Sequence, residues 1–283
     1  MMYIELFSYL GQQLKENIHW VSLSLLLAAI PAIALLIYIY RADKNRPEPK
    51  GKVLKVFFFG LLFVIPVAFA EYLLTFAGTR WVPSGMWMHG YNAFAVAAGV
   101  EETSKFLVVM LVIFRHPVFD ERMDGIVYTV AASLGFAFIE NFLYIAPAGM
   151  FTSITEMLQI ALLRGLLAVP GHAVNGVLTG YGLGRAKFET GLKRYRTMAV
   201  YLLAAIATHG VYDFIIFSSE SASNPMLRWL AWLTVPLVAG MVFVSRKLIR
   251  HHVATDAKMM GISTRPPIDP SPKKNRPFVE SLE

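Results

Sequence analysis

The sequence predicts an all-α fold, a polytopic transmembrane helix bundle of about seven spans with its N-terminus outside and its C-terminus in the cytoplasm. Three observations lead there. The chain of 283 residues is 56% hydrophobic and only 16% charged, against roughly 45–50% and 25% in soluble domains. Its mean hydropathy of +0.52 is concentrated in long apolar blocks, which a chain of this length cannot bury without lipid. Lysine and arginine also alternate between the loops in the way that the positive-inside rule requires.

Seven apolar segments stand out, at about 20–40, 53–77, 91–114, 125–145, 158–184, 198–217 and 227–244. Each is near the ~20 residues that a helix needs to cross a ~30 Å hydrocarbon core. The fifth is interrupted by Pro170-Gly171 and reads either as one kinked helix or as a re-entrant piece followed by a helix. The first is read as a span and not as a signal peptide. Its apolar run continues past Ala32-Ile33-Ala34, and Glu5, Lys15 and Glu16 before it are not a basic leader.

The loops expected inside the cell carry 21 Lys and Arg, those expected outside carry Lys15, Arg80 and Arg228, and Lys105 and Arg164 fall within spans. The net charge of +7 therefore belongs to membrane-flanking loops, and no nucleic-acid partner is inferred from it. Residues 1–250 are expected to form the membrane domain. Residues 251–283, charged and containing Pro266, Pro267, Pro270, Pro272 and Pro277, are expected to form a disordered cytoplasmic tail. The loop with Trp81, Pro83, Trp87 and His89 reads as an outer aromatic belt. The absence of cysteine excludes disulfides, thiol nucleophiles and thiolate-held metals.

The ionisable residues within the spans carry most of the functional information, because a charge at mid-membrane costs about 2.5–3.5 kcal/mol on insertion scales. They are Glu71, Glu101, Glu102, Lys105, Glu140, Arg164, His172, His209 and Asp213. Glu101 and Glu102 point about 100° apart on a helix, while Lys105 shares the face of Glu101. One glutamate can then face a polar cavity as a general base, with Lys105 balancing its charge. Glu140 is followed by Asn141 and His172 precedes Gly176 by four residues, a spacing that permits close helix approach. His209 lies four residues before Asp213, which can orient the ring. At ~1.5 Å per residue, Glu101 lies roughly 15 Å, Glu140 roughly 9 Å, His209 roughly 13 Å and His172 roughly 20 Å from the outer ends of their spans. All fall between mid-bilayer and the outer leaflet, where they can meet in one cavity. A carboxylate to activate water, imidazoles and a second acid are the parts of a hydrolase. Neither HExxH nor GxSxG occurs. A presenilin-type aspartyl pair is also disfavoured, since Tyr212-Asp213 lacks its Gly-x-Gly-Asp partner.

These residues, in order, form EExxK (Glu101, Glu102, Lys105), FxxxE (Phe136, Glu140), HxxxG (His172, Gly176) and HxxxD (His209, Asp213). Over about residues 40–220 the set resembles the PrsW family of intramembrane proteases, itself similar to the CAAX-protease and bacteriocin-processing superfamily. The resemblance implies a multi-pass bacterial protease of the cell membrane, in contact with lipid, that cleaves a single-span membrane protein. Site-one cleavage of an anti-sigma factor is the family role it suggests. It implies Glu101, Glu102, Glu140, His172 and His209 as catalytic residues, with Lys105, Asn141, Asn175 and Asp213 supporting them. Glu101 or Glu102 would be the base, and Asn175 or His209 the oxyanion donor. Glutamate-activated water is the preferred chemistry. A zinc ion held by Glu101, Glu140, His172 and His209 is the alternative. The competing class is a non-catalytic membrane protein, such as a proton-linked transporter, scaffold or immunity protein. No internal repeat of the transporter kind is found.

Overall fold

The computed structural model describes residues 17–44, 46–221 and 225–261, all helix and connecting turns among the described residues. Six helices are long and apolar enough to cross a membrane: Ile18–Ala42, Lys50–Gly78, Arg122–Phe151, Ile154–Ala186, Gly191–Glu220 and Trp229–Met259. They match the expected spans, with ends extended by a few residues to a turn or more. The protein is therefore a multi-pass helical membrane protein. The third expected span is also helical, running from Met86 to Val112. Glu101, Glu102 and Lys105 on its inner face lower its hydropathy, which is why it does not stand with the other six.

In chain order the elements are α1 (Ile18–Ala42), α2 (Lys50–Leu62), α3 (Val64–Gly78), α4 (Met86–Gly90) leading through a π-helical stretch into α5 (Gly99–Val112), and α6 (Arg122–Phe151). Then follow α7 (Ile154–Leu163), which passes through a second π-helical stretch into α8 (Val169–Ala186), and α9 (Gly191–Glu220). The short α10 (Pro225–Arg228) and a 3₁₀ turn lead into α11 (Thr234–Met259). Prolines explain two of the irregularities. Pro66 cannot donate to the Leu62 carbonyl, and the second span breaks at Phe63 between α2 and α3. Pro170 likewise cannot donate to Leu166, and the wide turn Arg164–Ala168 lies just before it. The fifth span is thus one continuous but irregular helix, the first of the two readings.

The centre of the bundle is α6. Its first half is buried on every side, with Ile126, Val127, Tyr128, Val130, Ala131 and Leu134 at 0% exposure. Small residues let its neighbours approach this closely. A Cβ on Gly180 of α8 would lie 2.4 Å from the Gly125 carbonyl oxygen, and one on Gly135 would lie 2.0 Å from that of Phe57 in α2. Gly176 packs on Val130 and Ser133 in the same way, so the HxxxG spacing does bring α8 against α6. The outer surface is apolar, with Ile65, Phe69, Leu111 and Leu203 exposed.

Trp81 and Trp87 near α4, and Trp229 and Trp232 before α11, are exposed at one end of the bundle, as an interfacial belt would be. Arg115, Lys187 and Arg194 lie at the other end, where Lys187 and Arg194 pack on Phe114. At that end α11 runs on to Met259 and buries His252 and Asp256. Residues 251–259 of the expected disordered tail are therefore helical and docked. Asp256 accepts hydrogen bonds from the Arg122 and Met123 amides at the start of α6 (3.2 and 2.9 Å), which ties this turn down. Residues 262–283 of that tail, and Lys15, lie outside the described residues.

The charge asymmetry of the loops gives a direct test of orientation. A reporter active only in the cytoplasm should be silent when fused after Ser221 and active when fused after Gly261. The opposite pattern would reverse the assigned topology.

Candidate active site

The site is built where α5, α6, α8 and α9 converge. The π-helical stretch Tyr91–Ala98 leads directly into the turn carrying Glu101 and Glu102, and the stretch Arg164–Ala168 leads into the turn carrying His172. Such wide turns rotate the residues that follow them and recur at functional sites.

Lys105 is at the centre. It is 1% exposed, and its Nζ lies 2.9 Å from Glu101 Oε2, 2.8 Å from Glu102 Oε1 and 2.9 Å from His172 Nδ1. Phe136, the first residue of FxxxE, packs its ring 4.6 Å from the same ammonium. An ammonium can only donate, so His172 Nδ1 is an acceptor and the ring proton sits on Nε2. That nitrogen lies 2.7 Å from Glu140 Oε2. The approach is off the line of a good hydrogen bond, and Oε2 has no aligned partner. The other oxygen of Glu140 accepts from Arg164 Nη2 at 2.7 Å, while Arg164 Nε donates to Asn141 Oδ1 at 2.8 Å.

His209 completes the cluster. Its Nδ1 is 2.8 Å from Glu102 Oε1 and its Nε2 is 3.3 Å from Asp213 Oδ2. The two imidazoles stand edge to face with centroids 5.5 Å apart. Asn175 accepts from the Thr208 hydroxyl at 2.8 Å through Oδ1, which leaves its side-chain N–H₂ as a donor.

A cavity of about 950 Å³ opens beside this network, lined by Glu101, Glu140, His172, Asn175, His209 and Asp213. Glu102 and Lys105 lie behind that wall. The sequence grouped Glu102 with the catalytic residues. The structure instead places it at 1% exposure with Oε1 held by Lys105 and His209. Asp213, expected only to orient His209, also reaches the cavity. Glu71, Arg164, Tyr144 and Tyr212 line the same space, although none was assigned to the site from sequence. The available signal was that Glu71 and Arg164 are charges within spans. Glu71 Oε1 is buried there without a hydrogen-bond partner. The cavity continues to His89, Ala231 and Trp232, at the tryptophan-rich end of the bundle.

Two groups have donor atoms within 4.8 Å of one another, Glu101–Glu140–His172 and Glu101–Glu102–His209. Of the four residues expected to hold zinc, Glu101, Glu140 and His172 thus fall in one group and His209 in the other, with Glu101 common to both. Carboxylate and imidazole donors suit zinc by type, and in the second group the other nitrogen of His209 faces Asp213 at 3.3 Å. In the first group Lys105 Nζ already contacts both Glu101 and His172. A metal-bound imidazole donates its second N–H to an acceptor, whereas the second nitrogen of His172 faces a group that can only donate.

The comparisons agree with the geometry in placing the chain. Residues 48–241 match the model of the PrsW family of intramembrane metalloproteases. The chain is similar to the protease PrsW of Geobacillus kaustophilus, 40% identical over 190 residues, covering 67% of this chain and 78% of the relative. It is 38% identical to that of Oceanobacillus iheyensis over 214 residues, covering 75% and 92%, and 35% identical to that of Bacillus subtilis over 203 residues, covering 72% and 87%. No solved structure matches the chain. Four motifs on four helices meet at one cavity within the bundle, and the family match spans all of them, so this chain belongs to the PrsW family and is an intramembrane peptide hydrolase of the cell membrane.

Proposed function

We propose that Glu101 is the general base of a glutamic-type hydrolysis, acting on a single-span membrane protein at the extracytoplasmic end of the bundle. The observation that carries this reading is the division between the adjacent glutamates. Glu101 reaches the cavity with Oε2 held by Lys105, while Glu102 is turned away into the bundle. Oε1 of Glu101 is then the atom that takes a proton as a cavity water attacks the scissile carbonyl carbon. The carbonyl electron pair moves to its oxygen, which accepts an N–H from Asn175. Glu101 passes its proton to the leaving nitrogen as the C–N bond breaks, giving one new carboxyl and one new amine. His172 and Arg164 hold Glu140 opposite Glu101, and Lys105 holds Glu101 in place through Oε2. No step is assigned to a metal ion.

Access supports the extracytoplasmic assignment. The helix of Glu140 continues to Phe151 and that of Glu101 begins at Met86, so the two lie roughly 16 Å and 22 Å from those ends. The cavity leads towards His89 and Trp232 and away from the loops rich in Lys and Arg. The residue before α4, Gly85, has φ of 80°, a conformation that favours glycine at the edge of this opening. A substrate helix has to unwind near its outer end, because peptide bonds within a helix are shielded from attack. An anti-sigma factor with one span is the substrate class proposed for it.

Reconstitution with a tagged single-span substrate tests the chemistry. Glu101→Gln is expected to lower kcat by about 10²–10⁴-fold while the protein still folds, and a zinc chelator is expected to leave wild-type turnover unchanged. Asp213→Asn keeps the Glu102–His209 contact and should reduce turnover by only about tenfold, the scale of lost support for a positioned imidazole. Inactivation by chelation, restored with zinc, would refute the glutamic reading. The position of the cut is a separate expectation. Mass spectrometry of the products should place their new termini in the juxtamembrane segment outside the cytoplasm, and a cut in the cytoplasmic half would contradict the assigned access route.

A further inference from the structure

A second cluster of buried acids lies at the opposite end of α6. Asp43 follows α1, Glu48 precedes α2 and Asp124 sits in the first turn of α6. They are 3%, 5% and 0% exposed, and one oxygen from each lies within 4.8 Å of the others. The cluster is rigidly held. Tyr128 donates a short hydrogen bond to Glu48 Oε2, and Tyr40 donates to the Glu48 carbonyl at 3.0 Å. Asp124 Oδ2 accepts from the Asp120 and Glu121 amides, each at 2.7 Å.

What remains is a set of acceptors facing one another. Asp43 Oδ2 and Asp124 Oδ1 are buried with no hydrogen-bond partner. Of the basic residues of the same loop, Lys44 is exposed and Arg46 turns away to Asp120 at 2.7 Å and Glu121 at 3.6 Å. Orphaned buried carboxylate oxygens are costly unless a cation or protons join them. In the active site Lys105 fills that role, and here no such side chain enters among the described residues.

We infer that Asp43, Glu48 and Asp124 form a site for a hard divalent cation, Mg²⁺ or Ca²⁺, that clamps the first two spans to the start of α6. An all-oxygen, all-carboxylate donor set selects such ions over zinc or copper. Calcium with ligands at ~2.4 Å places opposite oxygens about 4.8 Å apart, and Mg²⁺ draws them closer. The site has no part in the peptidase chemistry, so the inference stands apart from the mechanism above. By the loop charges it faces the cytoplasm.

The test uses the full-length detergent-solubilised protein carrying Glu101→Gln, stripped with chelator and titrated with Mn²⁺ as a paramagnetic probe. Pulsed electron paramagnetic resonance should show one bound ion with oxygen ligands and no directly coordinated ¹⁴N, and Mg²⁺ or Ca²⁺ should displace it. An ion in the active-site cluster would show the nitrogen of His172 or His209 instead. Mg²⁺ or Ca²⁺ at a hundredfold excess over its dissociation constant should raise the thermal midpoint by about 5 °C. Asp43→Asn and Asp124→Asn should remove both the signal and the shift, while melting in chelator no lower than the parent because a buried charge is gone. Absence of bound Mn²⁺, a nitrogen-coordinated ion alone, or binding that persists in both variants would overturn the site and leave an acid cluster that shares protons. If either variant fails to fold, the spectrum of the parent decides the matter.

Discussion

The ammonium of Lys105 is the constraint on which the active site depends. It is buried within the membrane domain, contacts two carboxylates and an imidazole, and joins α5 to α8. Neither the lysine nor the glutamates are tolerable alone in such surroundings, and removing one partner of a buried ion pair typically costs about 3–5 kcal/mol. Fixing Lys105 therefore fixes much else. It orients Glu101 by one oxygen, pins Glu102 so that the latter can hold His209, and sets the tautomer of His172 by donating to Nδ1. A second cation, Arg164, does the same for Glu140 and Asn141. The cluster is a network of paired charges around Lys105 and Arg164, with one face left open to the cavity.

The backbone is shaped to allow it. Glycines at 125, 135, 176 and 180 bring α2 and α8 so close to α6 that a side chain would collide, leaving little freedom in how the motif helices sit. Against this rigid spine stand the irregular stretches, the π-helical turns before Glu101 and His172 and the breaks near Pro66 and Pro170. Backbone departures at membrane depth persist where neighbouring helices and a polar cavity compensate for them. Rigidity thus lies behind the site and irregularity beside it.

Much of this was legible in the sequence, and the remainder was hidden for definite reasons. The spans followed from hydropathy, and the alternation of Lys and Arg supported the one at about 91–114, whose hydropathy is weakened by its own motif charges. The four motifs gave the residues that meet. What one sequence cannot show is which of two adjacent glutamates faces the cavity, since that depends on where α8 and α9 pack around α5. Glu71 and Arg164 stood out as charges within spans, but their membership of the site needed the fold. The end of α11 was misread because His251, His252 and Asp256 look like tail chemistry, yet Asp256 caps α6. Asp43, Glu48 and Asp124 could not be joined from the sequence, since Asp124 lies 76 residues beyond Glu48 in the chain.

The two acidic clusters on α6 answer the same electrostatic problem at opposite ends. At Glu140 the compensating charges are side chains, Arg164 and, through His172, Lys105. A side-chain cation suits a site that must exchange protons. An ammonium held on one oxygen of Glu101 leaves the other oxygen open to the cavity, whereas a divalent ion could engage both oxygens of the same group. At Asp124 no proton need be exchanged and two span ends must be held to a third helix. Several acids with unpartnered oxygens and a rigid tyrosine support are the donors that a hard ion bridges best. The chemistry at each end of α6 thus follows from whether its carboxylates must keep a free lone pair.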